Sequence, residues 1–190
     1  MKLVFATHNL HKFKEVKAMM PAHINLVSLT DIGCHDDIPE TAQTIEGNAS
    51  LKAQYVKTHF GLDCFADDTG LEIDSLHGEP GVYSARYAGP EKDSKANMNL
   101  VLDKLMDIND RSARFKTVIA LTQGDTELQF PGICEGQITY APRGDGGFGY
   151  DPIFQPLDYE QTFAEISTEE KAAIGHRGKA IRALIGYLSK

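Results

Sequence analysis

Two adjacent aspartates, Asp67 and Asp68, stand between the apolar run Cys64 to Ala66 and the pair Thr69-Gly70 in the stretch FADDTGLEID. A carboxylate at the end of a strand is rigidly placed, and Mg2+ takes such oxygens while completing its shell with water and substrate phosphates. A single carboxylate rarely suffices. Glu40, in IPETAQTIEGN, supplies a second one just ahead of a helical pattern that carries Asn48 and Lys52 four residues apart, on one face. Asp67 equally suits a turn or helix-cap role. At the start of the chain, ATHNLHKFKE delivers a strand into a helix beginning near His11 or Lys12. Such a junction offers backbone N–H groups and the positive end of a helix dipole to an anion. Thr7 and Asn9 add donors and Lys12 adds a full charge, although a capped helix with a solvated lysine uses the same residues. His8 and His11 are three apart, but no third ligand stands nearby, and catalytic zinc usually takes three.

Two further stretches carry unusual chemistry. GGFGYDPIF, residues 146–154, surrounds Phe148 and Tyr150 with glycines. The glycines allow close backbone approach, and the rings offer a surface for stacking a base or for packing a glycine-rich hairpin. In ISTEEKAAIGHRGKA, Ser167 and Glu170 form a capping box, so a helix is predicted from about Thr168. At about 100° per residue, a straight helix points His176 and Arg177 away from Lys171 and from each other. The three serve one ligand only if the helix breaks, and Gly175 is where it would. A solvated basic helix face is the alternative.

The elements that must hold these residues follow from hydrophobic periodicity. KLVFAT and INLVSL read as strands, and HKFKEVKAMM between them as a helix with Phe13, Val16 and Met20 on one stripe. Thr44 to Phe60 places Ala49, Ala53, Val56 and Phe60 on a second stripe. LDCFAD and LEID read as two strands broken at Gly70, and Ser94 to Met106 as a helix. RFKTVIALT and ELQFPGICEGQI read as neighbouring long strands turning at QGDT, and the last helix runs through Ile181, Leu184, Ile185 and Leu188. The class is mixed α/β with antiparallel pairing in the second half.

Composition narrows the partners. The 190 residues are 42% hydrophobic and 24% charged, a balance that fits an ordinary globular chain rather than a disordered or membrane one. The apolar run at the start is too short for a signal-peptide core or a spanning helix, so the expected location is the cytoplasm. Cys34, Cys64 and Cys134 are widely spaced with no C-x-x-C pair, and reduced thiols are expected. A formal net charge of -8 argues against a nucleic-acid polymer as partner. Any bound phosphate must be small and held by a few placed cations.

Taken together and in this order, THNLHKFKE, FADDTGLEIDSLHGEPGVYSARYAG, GGFGYDPIF and EISTEEKAAIGHRGKA resemble the family of inosine/xanthosine triphosphate pyrophosphatases, from about Lys2 to about Ala183. The resemblance implies one elongated, two-lobed α/β domain over residues 1–190, built on a long mixed sheet flanked by helices. It also implies a homodimer, a Mg2+ requirement, and hydrolysis of non-canonical purine triphosphates (ITP, dITP, XTP) to monophosphate and pyrophosphate. On the T-x-N-x-x-K pattern, Thr7, His8, Asn9, Leu10, His11 and Lys12 lie on the triphosphate; the side chains of His8, Leu10 and His11 fall at variable positions and receive no role. The A-D-D-[ST]-G pattern makes Asp68 the metal ligand and proton acceptor, with Thr69 touching substrate where many relatives carry serine. Glu40, in the family's P-E position, is implied as the partner metal ligand. The resemblance further implies that Phe148, Gly149, Tyr150 and Asp151 hold the base and that Lys171, His176 and Arg177 complete the substrate shell, while Lys52 adds a local cation for the triphosphate.

Rival readings are distinguishable. An aspartyl-phosphate phosphatase of the haloacid dehalogenase type requires a D-x-D spacing that is missing here. A catalytically silent nucleotide-binding module is expected to have lost the carboxylates or lysines that this chain retains. A Maf-like pyrophosphatase acting on pyrimidine or modified nucleotides keeps the reaction, but the 148–151 and 176–177 blocks favour a 6-oxopurine.

Overall fold

The computed structural model describes all residues from Met1 to Lys190. Six strands form one sheet in the order β2-β1-β3-β4-β5-β6. They are β1 (Lys2–Phe5), β2 (Asn25–Ser28), β3 (Cys64–Ile73), β4 (Ser112–Gln123), β5 (Thr126–Ile138) and β6 (Phe154–Pro156). The helices are α1 (Leu10–Met19), α2 (Ile45–Phe60), α3 (Ser94–Lys104), α4 (Thr168–Ile174) and α5 (His176–Leu188). β1 pairs in parallel with both β2 and β3, while β5 and β6 are antiparallel. The sheet is therefore mixed, as the alternation of patterns requires. No helix is long and apolar enough to cross a membrane.

The chain divides into two compact units, with crossings inside β3 after Asp68, inside β4 after Lys116, inside β5 after Gly132, and after His176. The first unit packs Leu3, Phe5, Val16, Phe65, Ile119, Leu121, Ile181 and Leu184 as its core, with the Phe5 and Phe65 rings stacked at 4.6 Å. In the second, Leu71, Ile73, Val101, Leu105, Phe115, Phe154 and Phe163 are buried together. Phe115 meets Phe154 edge-on at 4.7 Å. From Gly132 to Ile138, β5 alternates buried and exposed positions, the signature of a strand covered on one face.

Local chemistry sets the helix ends. Thr44 caps α2, its hydroxyl accepting from Gly47 N–H at 3.0 Å, and Gly61 closes the helix in the left-handed region at φ 65°. Ser167 caps α4 by accepting from Glu170 N–H at 3.1 Å. One strand expectation is corrected. LDCFAD and LEID are not separate strands: β3 runs unbroken for ten residues through Gly70, which is buried within it. The three-residue β6, paired against Gly136 to Ile138, is too short to show a period in the sequence.

The break expected at Gly175 is present. Gly175 is extended at φ -74° and ψ 162°, and its N–H still closes onto the Lys171 carbonyl at 2.8 Å. Its φ is open to any residue, so glycine is required here for space: a Cβ would lie 2.6 Å from the Lys171 carbonyl oxygen. Gly175→Ala must shift one helix end to relieve this contact. The expected cost is about 1–3 kcal/mol, read as a lower urea midpoint with an unchanged slope.

Candidate active site

The first unit gathers its charges on one strand. Asp67 and Asp68 are consecutive in β3, and successive strand residues point to opposite faces, so the doubled carboxylate serves two environments. Asp67 is 2% exposed. Lys12 of α1 approaches both of its oxygens, at 3.1 and 3.0 Å, and Arg177 of α5 donates from Nε at 3.3 Å. Burial alone would raise this carboxyl's pKa, but Lys12, Arg177 and Lys52 outweigh it and hold it far below the usual range. Lys12 itself is lowered, since burial outweighs the attraction of Asp67. Arg177 also gives its NH1 to Glu15 at 2.7 Å, so Asp67 and Glu15 flank the guanidinium.

Asp68 lies in a different balance. Its Oδ1 is 3.5 Å from the Lys52 ammonium, and its Oδ2 is buried with no hydrogen-bond partner. Burial raises its pKa, Lys52 and Lys12 pull the other way, and the net shift is upward. Lys52, one turn beyond Asn48 on α2, donates to Glu40 Oε1 at 2.7 Å. Burial would lower the lysine's pKa, yet Asp68 and Glu40 outweigh it and raise it. Glu40 and Asp68 are thus joined through one ammonium, with an unspent carboxylate oxygen beside it. This donor set fits a hard divalent cation: two carboxylates without an all-protein cage are what Mg2+ takes when phosphates and water complete its shell.

The loop leading into α1 is tightly self-bonded. Asn9 caps the helix, its Oδ1 accepting from His11 N–H at 3.0 Å and Lys12 N–H at 3.1 Å, while its own N–H donates to Thr7 Oγ1 at 3.1 Å. Two first-turn amides expected to face an anion are therefore already occupied. His8 and His11 are exposed, His8 Nε2 lying 2.9 Å from the Asp36 carbonyl, and Leu10 is 72% exposed.

The second unit holds the remaining residues. Thr69 follows the crossing in β3 and is half-buried. Asp151 is buried, and its Oδ2 accepts from Phe148 N–H at 2.8 Å and from the Lys171 ammonium at 2.7 Å. Lys171 also sits 4.8 Å from the centre of the Phe148 ring. Gly147 is left-handed at φ 70°, and any Cβ there would collide with the Asp151 carboxylate, so the turn depends on glycine. Gly149 is left-handed at φ 63° with open space beside it. Tyr150 is not a free stacking surface: its ring belongs to the core, and its hydroxyl donates to the Ser84 carbonyl at 2.7 Å. Burial pushes its pKa up. His176 stacks on Phe115 at 4.6 Å.

Sequence reasoning missed Glu15 and Ser84. Glu15 stands three residues after Lys12 on the same helix face, a signal that was available. Ser84 bonds Leu71 N–H and the Gly81 carbonyl at 2.9 and 2.6 Å, and no local pattern announces it.

The fold is a mixed α/β sheet with helices, of the kind found in solved Ham1 structures; the Staphylococcus aureus Ham1 protein matches at TM-score 0.91 and 37% identity, covering 100% of this chain and 98% of that one. The sequence profile of the Ham1 family matches residues 3–187, and this chain belongs to that family. A dITP/XTP pyrophosphatase of Christiangramia forsetii is 58% identical over 190 residues, with both chains covered completely. One from Flavobacterium psychrophilum is 57% identical over 187 residues, with 98% of each chain covered.

The charge pattern has an acid-side consequence. The unfolded chain protonates Asp67 near 3.8, whereas the folded one resists far below that. Its stabilising contribution is therefore complete above the ordinary carboxylate range and is lost as pH falls below it. Asp68, shifted upward, works in the opposite direction. Asp67→Asn is expected to cost about 3–5 kcal/mol near neutrality by taking the shared carboxylate from Lys12 and one of two carboxylates from Arg177. Urea titrations should then show the gap between variant and parent narrowing below pH 4. A constant gap down to the lowest accessible pH would contradict the assignment.

Proposed function

We propose that this protein hydrolyses dITP, ITP and XTP to the nucleoside monophosphate and pyrophosphate, with Mg2+ as cofactor. The observation that carries the reading is the division of labour between consecutive aspartates: Asp67 is neutralised by Lys12 and Arg177, while Asp68 keeps a buried, unspent oxygen next to the Lys52 and Glu40 pair. Membership of the Ham1 family and the activity of the relatives supply the substrate class.

Glu40 and Asp68 would hold the cation, which when bound supplies Lewis acidity and charge neutralisation at the phosphates. Among Lys52, Glu40 and Asp68 the formal charges sum to one negative, a local excess that favours a divalent ion. Lys12 and Lys52 then face the triphosphate oxygens as further counter-charge, with Thr7, Asn9 and Thr69 as polar contacts. Asp67 is committed to Lys12 and Arg177, whereas Asp68 keeps a buried oxygen without a hydrogen-bond partner, so Asp68 is the carboxylate left to take the proton from the attacking water. Attack at the α-phosphorus gives the two products.

In the base-recognition set, the Phe148 ring offers a face for stacking while Lys171 and Asp151 fix its backbone. His176 and Arg177 supply donors toward the 6-oxygen of hypoxanthine or xanthine. Adenine carries a donor there, and a site built on that hydrogen bond rejects the mismatched analogue by roughly 10⁴-fold. The protein is assigned to the cytoplasm, where the nucleotide pool lies, and to a homodimer.

The reading is tested by separating the products formed from ITP, dITP, XTP, GTP and ATP with and without Mg2+. Equal amounts of monophosphate and pyrophosphate are expected, from the 6-oxopurines that lack guanine's pattern and only with Mg2+. Orthophosphate with diphosphate would overturn the mechanism. Asp68→Asn should remain folded and lose about 10²- to 10⁴-fold in kcat.

A further inference from the structure

Glu40 lies on no helix or strand, yet a metal ligand must be held still. Three contacts from the first turns of α2 converge on its segment. Lys52 grips the carboxylate itself, at 2.7 Å. One turn earlier on the same face, the fully buried Asn48 accepts from the Ala42 N–H, at 2.9 Å to Oδ1. At Gly47 the segment lies directly against the helix: a Cβ there would be 2.6 Å from that of Ala42. Gly47 is not left-handed, so its backbone conformation does not demand glycine; the close approach does.

Asn48 is a costly choice if packing alone mattered. Its Nδ2 is buried with no hydrogen-bond partner, so only half of the amide's capacity is used and the single bond from the Ala42 N–H must offset the desolvation of the rest. The half that is used ends two residues from Glu40. We infer that Asn48, with the absent side chain of Gly47, is a positioning element for Glu40 and through it for the divalent cation. The inference rests on the assignment of Glu40 and Asp68 as cation ligands. Groups that orient a metal ligand without touching the metal typically govern affinity by roughly 10- to 100-fold.

The experiment measures Mn2+ binding to the nucleotide-free protein, from the electron paramagnetic resonance signal of the unbound ion, for the parent, Asn48→Ala, Asn48→Asp, Gly47→Ala and Asp68→Asn. Asp68→Asn should lose tight binding. Asn48→Ala should weaken it roughly 10-fold, while Asn48→Asp, which keeps an oxygen for the Ala42 amide, should stay closer to the parent. Gly47→Ala is the second arm. Alanine favours the helix, so on a purely structural role it leaves Mn2+ affinity intact; on the present inference it weakens affinity by displacing the segment. Parent-like affinity in both Asn48→Ala and Gly47→Ala, with Asp68→Asn defective, overturns the positioning role and spares the cation site. Parent-like affinity in Asp68→Asn overturns the cation assignment, and this inference with it.

Discussion

The first unit depends on how the chain tolerates a buried carboxylate at Asp67. An ionised group taken out of water is costly unless opposite charges meet it at hydrogen-bond distance, and here Lys12 and Arg177 do so from α1 and α5. The requirement fixes more than a pair. Arg177 is held in turn by Glu15, so one strand and two helices are registered against each other by two cations and two carboxylates. The depressed pKa of Asp67 records the same fact: its charge is too well satisfied to be surrendered to a proton.

That satisfaction does not extend to Asp68. The alternation of a β-strand separates the two side chains, and the cations that quench Asp67 do not reach both oxygens of its neighbour. A single aspartate could not be both a fixed structural anion and a proton acceptor near neutrality. On the proposed mechanism, two in succession divide those demands between opposite faces of one rigid strand. The net charge of -8 thus coexists with a local concentration of cations, Lys12, Lys52 and Arg177, around these two aspartates.

Much of this was legible locally. Helical stripes located α1, α2, α3 and α5, Ser167 announced its cap, and Gly175 marked a break because Lys171, His176 and Arg177 could not face one ligand from one straight helix. What local patterns missed was settled by distant partners. Glycine in a strand reads as an interruption, but buried in β3 Gly70 lets the strand continue. Tyr150 reads equally as a ring for stacking or for packing until its hydroxyl finds a carbonyl 66 residues earlier. Arg177 and Glu15 are 162 residues apart, a separation at which periodicity carries no information. The assignments of individual residues to nucleotide and cation came from the resemblance in motif order rather than from spacing.

The break at Gly175 shows how a small residue organises chemistry at a distance. Without it, His176 and Arg177 would continue the rotation of α4, and their directions would be dictated by Lys171. With the helix axis reset, consecutive residues join different packed units: His176 stacks on Phe115 in one, and Arg177 reaches Asp67 and Glu15 in the other. The same happens at the 68–69 peptide, where Asp68 ends one unit's segment and Thr69 begins the other's. Motifs that straddle such crossings carry two structural demands in adjacent letters. Asp68-Thr69 and His176-Arg177 are therefore constrained as pairs, because each partner answers to a different core.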